Sequence, residues 1–146
     1  MEPYWEVIRQ IIKESDIVLE ILDARFVEFS RNETLESLIK SIGRPVITVI
    51  NKSDLMPRKN LEISMDKLKQ TRSEVVFVSC RDPKTIQNLK EHIKRVFAKY
   101  GKREAIERLK KSSPHKEAWA DVVVGVVGYP NVGKSSVINA LALKKK

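Results

Sequence analysis

The stretch that decides the fold runs Val122-Val123-Val124-Gly125-Val126-Val127-Gly128-Tyr129-Pro130-Asn131-Val132-Gly133-Lys134-Ser135-Ser136. Its first six residues are apolar apart from one glycine, as in a strand buried on both faces. The next eight fit Gly-x4-Gly-Lys-Ser, and Val137, Ile138 and Leu141 then continue at helical spacing. Strand, glycine-bearing turn and helix in that succession make a phosphate-binding loop. Its glycines let backbone N–H groups turn inward around phosphates, and the start of the helix adds the positive end of its dipole. In this arrangement Lys134 reaches the β- and γ-phosphates as the catalytic cation. The chain around Asn131, Val132, Gly133 and Ser136 surrounds the phosphates, and the Ser135 hydroxyl is placed to ligand Mg²⁺. A strand-to-helix turn with no ligand can look alike; the flanking strand and helix are the context the motif requires.

Working outward, three further apolar runs predict strands at Ile17–Leu22, Pro45–Ile50 and Glu74–Val78, joining the one at Val122–Val127. Helical stripes lie between them. Tyr4, Trp5, Ile8, Ile11 and Ile12 form one, Leu35, Leu38, Ile39 and Ile42 a second, and Leu61, Met65 and Leu68 a third. A stronger one joins Ile86, Leu89, Ile93, Val96, Phe97 and Tyr100, and a basic stretch, Lys99–Lys111, continues it or breaks at Gly101. Strands alternating with helices predict an α/β domain, a four-stranded parallel sheet with helices on both faces, covering residues 1–146 as one unit.

A phosphate loop does not select a base. Asn51-Lys52-Ser53-Asp54, directly after the second strand, offers that selection. A carboxylate at Asp54 accepts two hydrogen bonds from the N1–H and exocyclic amine of guanine. Adenine lacks both donors, and leaving a buried carboxylate unpaired costs a few kcal/mol. Asn51 is placed to tie this turn to the phosphate loop, and the Lys52 stem to lie along the base. Alone, the tetrapeptide is also an ordinary polar turn; its company gives it meaning. At the tip of the third strand, Val78-Ser79-Cys80 adds a weaker signal.

Composition bounds the rest. The chain has 146 residues, 42% of them hydrophobic, with no apolar run near the ~18–20 residues that span a bilayer. It has no basic, apolar leader, so the expectation is a cytoplasmic protein without membrane contact. The single cysteine, Cys80, excludes an internal disulfide and a cysteine-rich zinc site. Lys and Arg number 28 against 19 acids, a net charge of +9 that draws nucleic acid or other anions.

Taken together, these motifs resemble those of the circularly permuted GTPases, in which the base-reading motif precedes the phosphate loop. The resemblance is to the branch that assists assembly of the large ribosomal subunit. Gly128–Ser136 looks like that branch's phosphate loop, and Asp23-Ala24-Arg25 followed by Ser30-Arg31-Asn32 is similar to its pattern, with Val27 and Glu33 where prolines usually stand. Ser79 and Cys80 resemble the Ser-Ala-Lys loop of Ras-like GTPases, whose backbone N–H meets the guanine O6. The resemblance implies a GTP/GDP-binding hydrolase, and strands in the spatial order fourth, first, second, third. It also implies Mg²⁺ on Ser135, K⁺ held by Asn131 beside the phosphates, and ribosomal RNA or the large subunit as partner.

The switch threonine and Asp-x-x-Gly motif of that family have no counterpart after Ser136. The domain is therefore expected to be incomplete. It should bind GDP nearly as well as GTP, turn GTP over very slowly, and either self-associate through an open strand edge or cover that edge with its own terminus. Two other readings stay open: a P-loop ATPase, against which Asp54 argues, and a nucleic-acid-binding module with a structural nucleotide pocket, which the charge favours. Asp23 and Arg25 receive no functional role. They shape a strand-to-helix loop, with Ser30 and Glu33 as a capping box.

Overall fold

The computed structural model describes residues 3–101, 122–130 and 132–142. Along them run α1 (Pro3–Glu14), β1 (Ile17–Asp23), α2 (Glu33–Ile42), β2 (Val46–Asn51), a single 3₁₀ turn (Ser53–Leu55), α3 (Arg58–Lys69), β3 (Val75–Phe77), α4 (Pro83–Tyr100), β4 (Val124–Val127) and α5 (Lys134–Ala142). The strands form one parallel sheet in the order β3-β2-β1-β4, as expected.

The sheet divides the core by the alternation of side chains. Ile17, Leu19 and Ile21 of β1 join Ile47, Val49 and Val76 on one face, where Ile86, Leu89 and Val96 of α4 and Val137 of α5 cover them. On the other face two smaller clusters lie side by side. Val18 packs with Ile12 of α1 and Leu35 and Ile39 of α2, while Leu22 and Ile50 pack with Leu61 and Leu68 of α3. At about 1.5–3 kcal/mol per fully buried large side chain, this double-sided burial is the main force holding β1 at the centre. All seven of its residues are buried.

Between the two smaller clusters, the β1 position that faces them is Glu20, beside Thr48 of β2. The run Ile17–Leu22, read from sequence as simply apolar, thus carries a charge into the interior. Arg72 meets it there. Its guanidinium donates to Glu20 Oε1 at 2.6 Å and to Thr48 Oγ1 at 2.8 Å, and pairs with Glu36 Oε2 at 2.7 Å. Arg31 binds both oxygens of Glu36.

Element boundaries differ from the expected ones for local reasons. Strand β4 begins at Val124 rather than Val122, because Val123 spends its N–H on the Asp16 carboxylate at 2.8 Å instead of a ladder partner. Within β4, Gly125 is required by close approach: a Cβ there would overlap Ser15 Oγ at the end of α1. Helix α2 is capped by Asn32, whose side chain accepts from the Leu35 N–H at 3.0 Å, and not by a Ser30–Glu33 box. The Ser30 hydroxyl is engaged elsewhere, donating toward Phe26 O and accepting from the Asp23 N–H. Helix α4 ends at Gly101, so most of the basic stretch Lys99–Lys111 lies outside the described residues.

Candidate nucleotide-binding site

The chain crosses to the next element at the carboxyl end of every strand, and the sequence-predicted site residues gather there. That is where parallel sheets bind ligands, beside the point where winding reverses. Here the reversal falls at β1, flanked by β2 and β4.

Asn51 ends β2 with 3% of its surface exposed. Its side-chain Nδ2 donates to Val132 O at 2.9 Å across 81 residues of sequence, binding the base-reading turn to the phosphate loop. Gly133 makes that possible. Its φ of +94° lies where side chains are strained, and a Cβ there would overlap Asn51 Nδ2. Val132 is buried in the core under α4 and α5, which anchors the middle of the loop. Asn131 lies outside the described residues.

Lys134 opens α5 and donates from Nζ to Gly128 O at 2.7 Å, so its ammonium spans the loop from last residue to first. Ser135 and Ser136 follow in the first turn of α5, both exposed, at the end of the helix where N–H groups and the dipole favour anions.

Past Asn51 the chain turns sharply. Lys52 has φ of +66°, the one positive φ among described residues other than glycine. The Ser53 N–H donates to Val78 O, which stitches the turn to the end of β3. Asp54 is held from the same side: Ser79 Oγ donates to Asp54 Oδ1 at 3.0 Å. Ser79 is in turn locked by Thr85, whose hydroxyl accepts from the Ser79 N–H and donates to Ser79 O, both at 2.9 Å. Thr85 was not legible as a site residue; its hydroxyl is an ordinary first-turn feature of α4 until Ser79 is placed beside it. Cys80 is exposed, and its thiol is pushed up by partial burial and by the nearby Asp54 charge, so it stays protonated.

A second unassigned residue enters here. Asp23, at the end of β1, is 5% exposed and pairs in register with Asn51. Its carboxylate accepts from the Arg25 N–H at 2.9 Å and from the Arg25 side chain at 3.1 and 2.9 Å, and it lies 3.3 Å from Lys52 Nζ. Burial would raise its pKa, but the Arg25 hydrogen bonds and the Lys52 contact hold it below the usual range. The signal for Asp23 was present in the sequence as a charged residue ending a buried strand beside two motif strands.

These residues suit a nucleotide. A phosphate loop with no room for a Cβ at Gly128 or Gly133, a lysine across it and a helix start form the phosphate half, with a positioned carboxylate as the base half. Ser135, as the exposed hydroxyl of the first turn, fits a Mg²⁺ ligand.

The chain is similar to known proteins over nearly its whole length. Residues 5–93 match the family model described as Ferrous iron transport protein B, and residues 123–146 match 50S ribosome-binding GTPase. A GTP-binding protein of Methanocaldococcus jannaschii is 41% identical over 145 residues, 99% of this chain and 33% of that protein. Nuclear GTP-binding protein NUG1 of Saccharomyces cerevisiae is 34% identical over 143 residues, 97% of this chain and 27% of that protein. The chain therefore spans about a third or less of the length of these relatives. Among solved structures, GNP-bound YlqF from T. maritima shares the fold, with a TM-score of 0.55 and 20% identity over 99% of this chain and 50% of that one.

The expectation of a cytoplasmic protein is overturned by these relatives, since one similar over nearly the whole chain is a nuclear protein by name. Leader signals are a poor guide here, because they separate exported chains from the rest and not one internal compartment from another. Among the described residues, no helix is long and apolar enough to cross a membrane.

Proposed function

We propose that this chain, which belongs to the GTP-binding proteins of the ribosome-assembly type, binds GTP and GDP at the carboxyl ends of its strands as part of a nucleotide switch. Over residues 5–93 it also belongs to the family described as Ferrous iron transport protein B. Residues 1–146 are read as one GTP-binding domain with its motifs in permuted order. The observation that carries this is the Asn51 bridge to Val132, which makes one site of two motifs that are far apart in the chain.

Each residue has a part. Asp54, held by Ser79, accepts the two donors of the guanine edge, while the Lys52 stem and the chain at Cys80 flank the base. Backbone N–H groups of Val132, Gly133 and Ser136 face the phosphates, and Lys134 offsets charge on the β- and γ-phosphates as the bond between them is hydrolysed. Ser135 would hold Mg²⁺, which would supply positive charge to offset that of the phosphates. Asn131 is proposed to help hold K⁺, so equal hydrolysis rates in KCl and NaCl would remove that part. The large ribosomal subunit is the proposed partner, which a net charge of +9 supports through phosphate contacts that weaken steeply with salt.

Asp54→Asn tests the centre of the reading. It replaces an acceptor with a donor, so GDP affinity should fall by about 2 kcal/mol or more, roughly thirtyfold, while xanthine nucleotides gain. Equal binding of ADP and GDP by the unaltered chain, measured by titration, would overturn guanine selectivity. It would favour the ATPase reading if ATP bound tightly. If no nucleotide bound and RNA did, the nucleic-acid module would take its place.

A further inference from the structure

We infer that Asp23 is a positioning residue for the base-reading turn, holding Lys52 in its left-handed conformation so that the lysine stem lies between the base and the phosphate loop. The inference rests on the guanine-site reading above and assigns a role to the one motif that reading leaves unused.

Left-handed backbone costs a residue with a Cβ about 1–2 kcal/mol, so a lysine there needs an opposing interaction. None comes from a cap: the 3₁₀ turn that Lys52 precedes receives no side-chain hydrogen bond from it. Instead the side chain reaches back across the sheet. Its Cε passes 3.7 Å from the place a Cβ on Gly133 would occupy, and its ammonium stands 3.3 Å from Asp23 Oδ2. The stem is therefore stretched along the phosphate loop between two fixed points. The first, the end of β2, is fixed by Asn51.

The second point is Asp23, and it is held from every side that the structure describes. Its own N–H donates to Ser30 Oγ at 3.0 Å, and its carboxylate plane is set by the Arg25 side chain through both oxygens. Its side chain is 7% exposed, against 28% for that of Lys52 and 41% for that of Arg25. An ion pair with one partner this deeply buried is screened little by solvent, unlike a surface pair. Arg25 faces outward and competes for the same carboxylate, so the two cations should contribute differently. Lys52 contributes to nucleotide binding and Arg25 to the shape of the loop after β1.

The test uses the full chain and fluorescent GDP, with unlabelled GDP and ADP as competitors. Asp23→Asn and Lys52→Met should each weaken GDP roughly tenfold, as expected for losing one charged hydrogen bond. The double variant should be no weaker than the poorer single one, because both remove the same interaction. Arg25→Ala should stay within about twofold of the unaltered chain, the scale of a partly exposed ion pair. Lys52→Arg, which keeps the charge, should recover most of the loss and is informative even where Asp23→Asn does not fold. The inference is overturned if the two single losses multiply, if Arg25→Ala costs as much as Asp23→Asn, or if Lys52→Arg binds no better than Lys52→Met. ADP binding as tight as GDP in the unaltered chain would sink the base reading itself. GDP selectivity that persists at full affinity in Asp23→Asn would sink only the role of Asp23.

Discussion

Glu20 and Asp23 stand three residues apart on β1, both acidic and both almost fully buried, yet the protein treats them in opposite ways. Asp23 sits at the end of the strand among more donors than it has oxygens, and its pKa falls below the usual range. Glu20 sits mid-strand on the opposite face, where burial first and the neighbouring Glu36 next push its pKa up to about 7, against the attraction of Arg72. Glu36 moves the other way, to about 2, because Arg31, Glu20 and Arg72 hydrogen-bond it more than burial penalises it. Desolvation alone therefore does not decide the protonation of a buried carboxylate. The supply of donors does, and at Glu20 a single guanidinium is divided between two acids. Glu20 Oε2 has no hydrogen-bond partner in the ionised pattern. Below its raised pKa, a proton on Glu20 shared toward Glu36 would supply a donor there.

The sharpest way to break that contrast is to remove the divided cation. Arg72→Ala leaves Glu20 without its guanidinium, Glu36 with Arg31 alone, and Thr48 Oγ1 without the Arg72 donor. Breaking a buried ion pair from one side costs about 3–5 kcal/mol, so urea unfolding should show a loss of that order. GDP affinity at saturating folded protein should change little, because the cluster sits mid-sheet and not at the strand ends. A loss below about 1 kcal/mol would mean the cluster is far more solvated than its burial implies.

Glu20→Gln sharpens the contrast by fixing the protonated shape. A raised folded pKa makes the Glu20 contribution to stability complete below about 4.5 and progressively lost as pH rises to about 7. For Glu36 the sign is reversed: its contribution is present above about 4.5 and lost as pH falls toward about 2. Between these limits the pair keeps one proton. The unaltered chain should thus lose stability from pH 4.5 to 7, with a slope of up to about 1.4 kcal/mol per pH unit for one proton. A glutamine amide donates to Glu36 at every pH, so the variant should be flatter and more stable than the parent by about 1–3 kcal/mol at pH 8. Parallel pH profiles for the two proteins would disprove the shared proton.

What the sequence shows and hides follows the same physics. The helices were legible because their apolar residues recur at helical spacing, the strands because they are short apolar runs buried on both faces, and the phosphate loop because its glycines and lysine occur in a fixed spacing beside a strand. The strand order was implied by the family resemblance and could not be read from periodicity, which is blind to neighbours. Glu20 was passed over because five apolar neighbours dominate its run, although a charge within such a run is itself a mark of a buried pair. The cap of α2 was misplaced between Ser30 and Asn32, two good capping residues, since the choice depends on Asp23 drawing the Ser30 hydroxyl away. Thr85 and the Asp23–Lys52 contact depend on meetings across the sheet that local pattern does not encode.

The smallest of these effects concerns a third acid, Asp54, just past the end of β2, whose positioning rests on a neutral donor. Ser79 Oγ gives Asp54 Oδ1 one hydrogen bond at 3.0 Å and also accepts from the Arg81 N–H at 3.2 Å. Ser79→Ala removes the first and leaves the Arg81 N–H without that partner, while Thr85 still holds the Ser79 backbone. The turn should therefore keep its path and lose only the orientation of one carboxylate. A hydrogen bond to a charged group contributes about 1.5–3 kcal/mol when its partner stays buried, but guanine itself supplies Asp54 with donors once bound. The net loss should be nearer 1 kcal/mol, roughly fivefold in GDP affinity, with ADP still excluded. Thermal stability without nucleotide should change by a comparable or smaller amount. If Ser79→Ala abolished GDP binding, the orientation of Asp54 would depend on Ser79 alone, and the network through Thr85 would have no part in the site. If affinity did not change at all, the nucleotide would be orienting its own reader.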